Sequence, residues 1–145
     1  MKSLQILKFK DEFRSDLVDL WERSVRATHS FLNPEDIDFY KSIVKDIDFH
    51  SFEVYCAFDN NKMVGMLGVA DGKLEMLFLS PDQIGKGVGR HLMEFVLRDL
   101  NVMLVDVNEG NTHATNFYQK FGFKVYDRTP TDDQGKPYPI LKMKL

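Results

Sequence analysis

Three glycines stand at alternating positions in Pro81-Asp82-Gln83-Ile84-Gly85-Lys86-Gly87-Val88-Gly89-Arg90. Glycine takes positive φ freely and has no side chain, so such a turn can bring bare backbone N–H groups against an anion. A helix that begins here adds unsatisfied donors and the positive end of its dipole. Lys86 and Arg90 add charge at the rim. The chemistry on offer is the cradling of a pyrophosphate. Three readings compete for the segment. A tight turn with close helix packing would need the same glycines. A dinucleotide-binding turn would use Asp106, about 20 residues on, as its ribose acid. Against that, the spacing is G-x-G-x-G without the third glycine of G-x-G-x-x-G, and at least three predicted strands precede it. A Walker loop is excluded, because no Gly-Lys-Ser or Gly-Lys-Thr occurs.

The elements around this turn follow from periodicity. Residues 3–9 alternate as a first strand. Residues 11–28 carry Phe13, Leu17, Leu20, Trp21, Ser24, Val25 and Thr28 at helical spacing. Asn33-Pro34-Glu35-Asp36 opens a second helix with a capping side chain, a first-turn proline and acids that complement the dipole. Residues 53–58 and 62–69 form a hairpin across Asp59-Asn60-Asn61, and 73–79 a further strand that Pro81 closes. Residues 87–100 form the helix after the glycines. Residues 102–107 are a nearly continuous apolar run, as in a strand covered on both faces. A last helix spans 112–121, capped by Asn111 and stopped by Gly122. Strands at 123–127 and 140–145 close the chain around the turn-rich connection 129–139. The order β-αα-βββ-α-β-α-ββ gives an α/β fold, a mixed, mostly antiparallel sheet flanked by helices.

The bulk numbers narrow the function. The 145 residues suit one domain over 1–145. Nineteen basic and 22 acidic residues leave a net charge of −3, which gives no nucleic-acid-binding excess. One cysteine, Cys56, permits no intrachain disulfide. No segment approaches a membrane span of ~18 apolar residues, and the first eight residues hold no signal-peptide core. A cytoplasmic protein without membrane or nucleic-acid partners is expected. His50, His91 and His113 show no metal-ligand spacing, so no metal is expected.

Asn111-Thr112-His113-Ala114-Thr115-Asn116-Phe117-Tyr118-Gln119-Lys120-Phe121-Gly122-Phe123 follows the next strand at once. Together with the glycine turn it resembles the acetyl-CoA signature of the GCN5-related N-acetyltransferases. That signature is Pro-x-x-(Arg/Gln)-Gly-x-Gly-x-Gly, a helix, a strand, then Asn-x-x-Ala-x-x-Phe-Tyr-x-x-x-Gly-Phe. The match covers residues 74–126 and departs at Ile84, where the family has Arg or Gln. The stretches 21–32 and 133–139 resemble one bacterial subgroup of small family members.

The resemblance implies an acyltransferase that uses acetyl-CoA to acetylate an amine by direct attack. It implies cofactor contacts from Leu77, Phe78 and Leu79 on the strand before the turn. From the turn and helix start it implies Ile84, Gly85, Lys86, Gly87, Val88, Gly89 and Arg90. The last helix supplies Asn111, Asn116 and Tyr118. In the same way Tyr118 stands at the general-acid position toward the CoA sulfur, and the main-chain N–H of Leu79 at the oxyanion donor. Glu75 is the candidate base, placed by strict alternation on the face of Leu77 and Leu79. His29 and Phe31, in the loop between the first helices, and Tyr138, between two prolines, are the candidate acceptor-binding residues. A non-catalytic acyl-CoA sensor is the alternative function. A monomer or homodimer is equally compatible with the sequence, and the acceptor amine is not named by it.

Overall fold

A computed structural model describes residues 4–145, so Ser3, the expected start of the first strand, lies outside the described residues. The strands are β1 (Leu4–Lys8), β2 (Glu53–Asp59), β3 (Lys62–Ala70), β4 (Lys73–Leu79), β5 (Leu104–Asn108), β6 (Lys124–Thr129) and β7 (Ile140–Lys144). The helices are α1 (Arg14–Thr28), α2 (Pro34–Asp46), α3 (Val88–Asp99) and α4 (Thr112–Lys120). One seven-stranded sheet runs in the order β1-β2-β3-β4-β5-β7-β6. Every neighbouring pair is antiparallel except β4 with β5.

A separate core fills each face of the sheet. On one, Leu92, Met93 and Val96 of α3 pack with Val105, Phe123 and Met143. On the other, Leu17, Leu20 and Trp21 of α1 pack with Val44, Phe49, Cys56 and Met66. Burying a leucine such as Leu92, 1% exposed, contributes about 1.5–3 kcal/mol. The β2–β3 turn follows its asparagines: Asn60 and Asn61 both take positive φ, at 51° and 65°. A two-residue turn of that hand matches the twist of the flanking strands. Asn111 accepts from the Ala114 amide at 3.1 Å, the expected cap of α4.

Four expectations need correction. Residues 11–13 form a 3-10 turn, and α1 begins only at Arg14. Asn33 makes no side-chain cap; its carbonyl accepts the first amides of α2 and its own N–H points to Tyr138. The run at 102–107 is not covered on both faces: Val105 and Val107 are buried, while Leu104, Asp106 and Asn108 are only half covered. The fourth concerns Glu75. Val69 pairs Leu74 and Gly68 pairs Met76, so Glu75 is an extra residue in a β-bulge. Strict alternation fails across a bulge. Leu74, Leu77 and Leu79 all pack on the α3 side, whereas Met76 and Phe78 pack on the α1 side. Glu75 therefore opposes Leu74 and lies on the face of Met76 and Phe78, not that of Leu77 and Leu79.

Candidate active site

The site begins where two parallel strands part. β4 and β5 pair only at Lys73 with Leu104 and Leu74 with Val105. The bulge at Glu75 comes next in β4, and the local twist that a bulge adds turns the strand away. Beyond it, the hydrogen-bonding parity of β4 decides what faces the gap. The Ser80 amide donates to the Val64 carbonyl at 2.9 Å, so Phe78 with Met66 and Met76 with Gly68 are also hydrogen-bonded pairs. Leu77 and Leu79 alternate with them and face Leu67 and Gly65 without bonding. Their N–H and C=O groups turn the other way, toward the departed β5. Phe78, by contrast, has its main chain engaged with β3 and its ring against Trp21 and His29, each at 6.4 Å.

The glycine turn lies past the end of β4. Gly85 and Gly87 have φ of 81° and 91°, and a Cβ at either would meet nothing within 4 Å. Their backbone is thus open to a ligand on the side where a side chain would stand. Gly87 begins α3, and no side chain caps its first amides. Gly89 is different. A Cβ there would lie 3.3 Å from Leu79 Cδ1 and 3.4 Å from Phe117 Cζ, so this glycine seats α3 against β4 and α4. Val88 is fully buried and anchors the helix start. The Lys86 amide already donates to the Gln83 carbonyl at 3.2 Å, which leaves only its ammonium for an anion. Arg90 pairs with Glu94 at 3.3 Å and is exposed, as is Ile84. Behind the turn, buried Ser80 accepts from Arg23 Nη1 of α1 at 3.1 Å and donates to Asp82.

A cavity of about 360 Å³ occupies the gap and reaches from α4 to α1. On the α4 side its wall includes Leu77, Asn111, Ala114 and Tyr118. Tyr118 is 7% exposed, and its hydroxyl has no partner among the described residues. Burial raises its pKa above the usual phenol range, so it keeps its proton. Asn116 lies exposed on α4, outside the cavity wall.

On the α1 side the wall includes Trp21, His29, Glu75 and Phe78. Thr28 Oγ1 donates to the Ser24 carbonyl at 2.8 Å, so at its 2.7 Å contact with His29 it must accept from Nδ1–H. The lone pair of His29 then sits on Nε2, which has no partner among the described residues. Burial lowers the pKa of His29 to about 4, and the ring is neutral above that. Glu75 has no hydrogen-bond or ion-pair partner among the described residues. Its pKa is raised, chiefly by partial burial, with Asp106, Asp133 and Asp71 adding to the rise against the pull of Lys73.

His29, Phe31 and Tyr138 form one row of rings, with centroids 5.3 Å and 6.1 Å apart. Only His29 reaches the cavity wall. Phe31 bears on Gly110, where a Cβ would come within 2.7 Å of its ring. Tyr138 is tied to α2: its hydroxyl donates to Asp36 and receives the Asn33 amide. Sequence reasoning missed Tyr40, Asp106, Asp132 and Asp133, all of which line the cavity. Tyr40 donates to Asp132, fixing the 130–139 loop to α2. Nothing local distinguishes Tyr40 from a core residue of its helix; the contact spans 92 positions.

Unpaired main-chain groups in a strand gap, a glycine-lined helix start and a phenol that keeps its proton are an arrangement suited to acyl transfer from a CoA thioester. The family model for the acetyltransferase (GNAT) domain matches residues 19–145, and the chain belongs to that family. It is an N-acetyltransferase, and its family uses acetyl-CoA as acetyl donor. It is 35% identical over 140 residues to a peptidyl-lysine N-acetyltransferase, YjaB, of Salmonella typhimurium, with 97% of each chain covered. The solution structure of apo YjaB from Escherichia coli superposes with a TM-score of 0.87 at 35% identity, covering 97% of this chain and 96% of that one. An N-acetyltransferase, PaiA, of Thermoplasma acidophilum, solved in complex with coenzyme A, shares the fold at a TM-score of 0.76 and 22% identity, over 99% of both chains. Among the described residues no helix is long and apolar enough to cross a membrane.

Proposed function

We propose that this enzyme acetylates the side-chain amine of lysine in peptides or proteins. The observation that carries this reading is the gap itself: the main chain of Leu77 and Leu79, not bonded to β3, turns toward the space that β5 leaves, and the cavity there is lined by Leu77 and by Tyr118, whose hydroxyl has no partner among the described residues. The name shared by relatives 35% and 36% identical over nearly the whole chain supports lysine as the acceptor.

The residues present fit acetyl-CoA. Amides at Gly85, Gly87, Val88, Gly89 and Arg90, with the Lys86 ammonium, form a donor set for its diphosphate. Leu77 and Asn111 hold the amide-bearing arm in the gap, as added strand contacts would. When bound, it supplies an activated acetyl group as a thioester. The Leu79 N–H stabilises the negative charge that builds on the acyl oxygen, in a site that requires no reorganisation. Lysine's amine, with a pKa near ~10.4, must lose a proton before it attacks. Glu75 takes that proton through water; its raised pKa makes it a stronger base than an ordinary carboxylate. His29 Nε2 accepts a hydrogen bond from the incoming amine and orients it. As the C–N bond forms and the C–S bond breaks, Tyr118 donates to sulfur. A thiol's pKa is ~8.5, well below that of a buried phenol, so the hydroxyl shields the developing charge and the proton finally left on sulfur derives from nitrogen.

The test is incubation with acetyl-CoA and a lysine peptide blocked at its N-terminus. Thiol release should match, mole for mole, a mass gain of one acetyl group on the lysine. Thiol release with no acetylated lysine in any peptide would remove this reading.

A further inference from the structure

Four carboxylates line the cavity: Glu75, Asp106, Asp132 and Asp133. Two are already engaged. Asp106 is paired with Lys73. Asp132 accepts from Tyr40 and from the Gln134 and Lys136 amides, both at 2.9 Å. Glu75 and Asp133 have neither a hydrogen bond nor an ion pair among the described residues. Lys136, the cation of the loop, pairs with Asp36 at 3.0 Å and lies over the Phe39 ring at 4.6 Å, and the Lys73 charge that Asp133 feels is already paired with Asp106. The cavity is also built to receive a molecule. His29 and Tyr118 line it with only 9% and 7% of their surfaces exposed, and neither His29 Nε2 nor the Tyr118 hydroxyl has a hydrogen-bond partner among the described residues.

One acceptor ammonium accounts for one of the two open carboxylates, and Glu75, at the bulge between the two halves of the gap, is the one beside it. Asp133 remains, exposed on the 130–139 loop that α2 holds in place. We infer that Asp133 receives a second positive charge of the acceptor, so that the preferred lysine stands next to a basic residue in its peptide. This rests on the lysine-acetylation reading above and adds to it a rule of sequence context.

Three N-terminally blocked peptides of equal length test it, with a central lysine flanked by arginine, by alanine or by glutamate. We expect kcat/KM to be about fivefold higher for arginine than for alanine, the scale of a solvent-exposed ion pair. The ratio should fall toward one in Asp133→Asn, and also in about 1 M salt, where the Debye length is ~3 Å. Asp133→Lys should favour the glutamate peptide instead. Asp133 is exposed and has no hydrogen bond or ion pair among the described residues, so both variants should keep the melting temperature of the parent. In parallel, quenching of Trp21, the single tryptophan and a cavity residue, reports peptide binding to the CoA-loaded protein without turnover. Selective binding of the arginine peptide with no acetylation would remove the lysine-acetylation reading and uphold the charge rule. Equal turnover of the three peptides would overturn the charge rule alone. Neither selectivity nor turnover would overturn both.

Discussion

The two sides of the gap between β4 and β5 are built from different materials. The donor side is main chain: glycines at positive φ, an uncapped helix start, and strand amides turned from β3 by ladder parity. The acceptor side is side chain: His29, Glu75, Tyr40 and two aspartates, brought from α1, β4, α2 and the 130–139 loop. A cradle of amides recognises a diphosphate common to all CoA thioesters. A wall of side chains can be changed by point substitution. On the proposed reading the main chain of one side holds the cofactor, while side chains of the other meet the acceptor and can be varied with it.

Substitutions can break that comparison, and the largest effect belongs on the boundary. Tyr118→Phe should lower kcat by about 10²- to 10³-fold, the range for losing a preplaced hydrogen-bond donor to developing charge. Coenzyme A affinity by calorimetry should change far less. The hydroxyl has no protein partner, so thermal stability should hold or rise. A proportionate loss of CoA binding would move Tyr118 from the chemistry to the cradle.

His29 tests the acceptor side through pH. Its folded pKa, about 4, lies below the unfolded value of 6.5, so the unfolded chain binds a proton that the native one refuses. Its contribution is complete above the unfolded value and is lost as pH falls through the window between the two. The loss reaches up to about 3 kcal/mol at the bottom of that window. Denaturant melts of the parent and of His29→Gln between pH 7 and 4 should diverge, with the variant losing less stability. Parallel curves would show that the ring titrates freely.

Gly87→Val tests the donor side. No neighbour obstructs the added atoms, so the effect comes from forcing a β-branched residue to a φ of 91°. Coenzyme A binding should weaken by roughly tenfold, in keeping with ~1–2 kcal/mol for a left-handed residue. KM for the acceptor should move little. The smallest effect is that of Tyr40→Phe, which unties the 130–139 loop from α2. It should cost about 1 kcal/mol of stability and raise acceptor KM a fewfold, with CoA affinity unaltered. An equal change in both constants would erase the division between the two sides.

Much of this was legible along the chain. Gly85, Gly87 and Gly89 announced the turn and the start of α3, and Asn111 and Gly122 the bounds of α4, because each acts within a few residues of its own position. Glu75 was legible as a carboxylate but assigned to the wrong face. Alternation assumes one residue against one, and a bulge is a mismatch between two strands that neither strand shows alone. Asn33 read as a cap yet serves through its carbonyl, while its side chain turns to the Asp36 carboxylate and its amide to Tyr138, 105 positions away. Asp132 and Asp133 read as turn residues. Only the folding of their loop onto α2 makes them walls of a cavity.

The sequence by itself determined the order of elements, the glycine turn and the helix that carries Tyr118. These depend on φ preference, periodicity and capping, which operate over a turn or two of chain. The tertiary structure alone decided where β4 leaves β5, which face Glu75 takes, and which acids gather opposite the phenol. Those depend on pairing between segments far apart in the chain, and the free energy of a pairing belongs to both partners together.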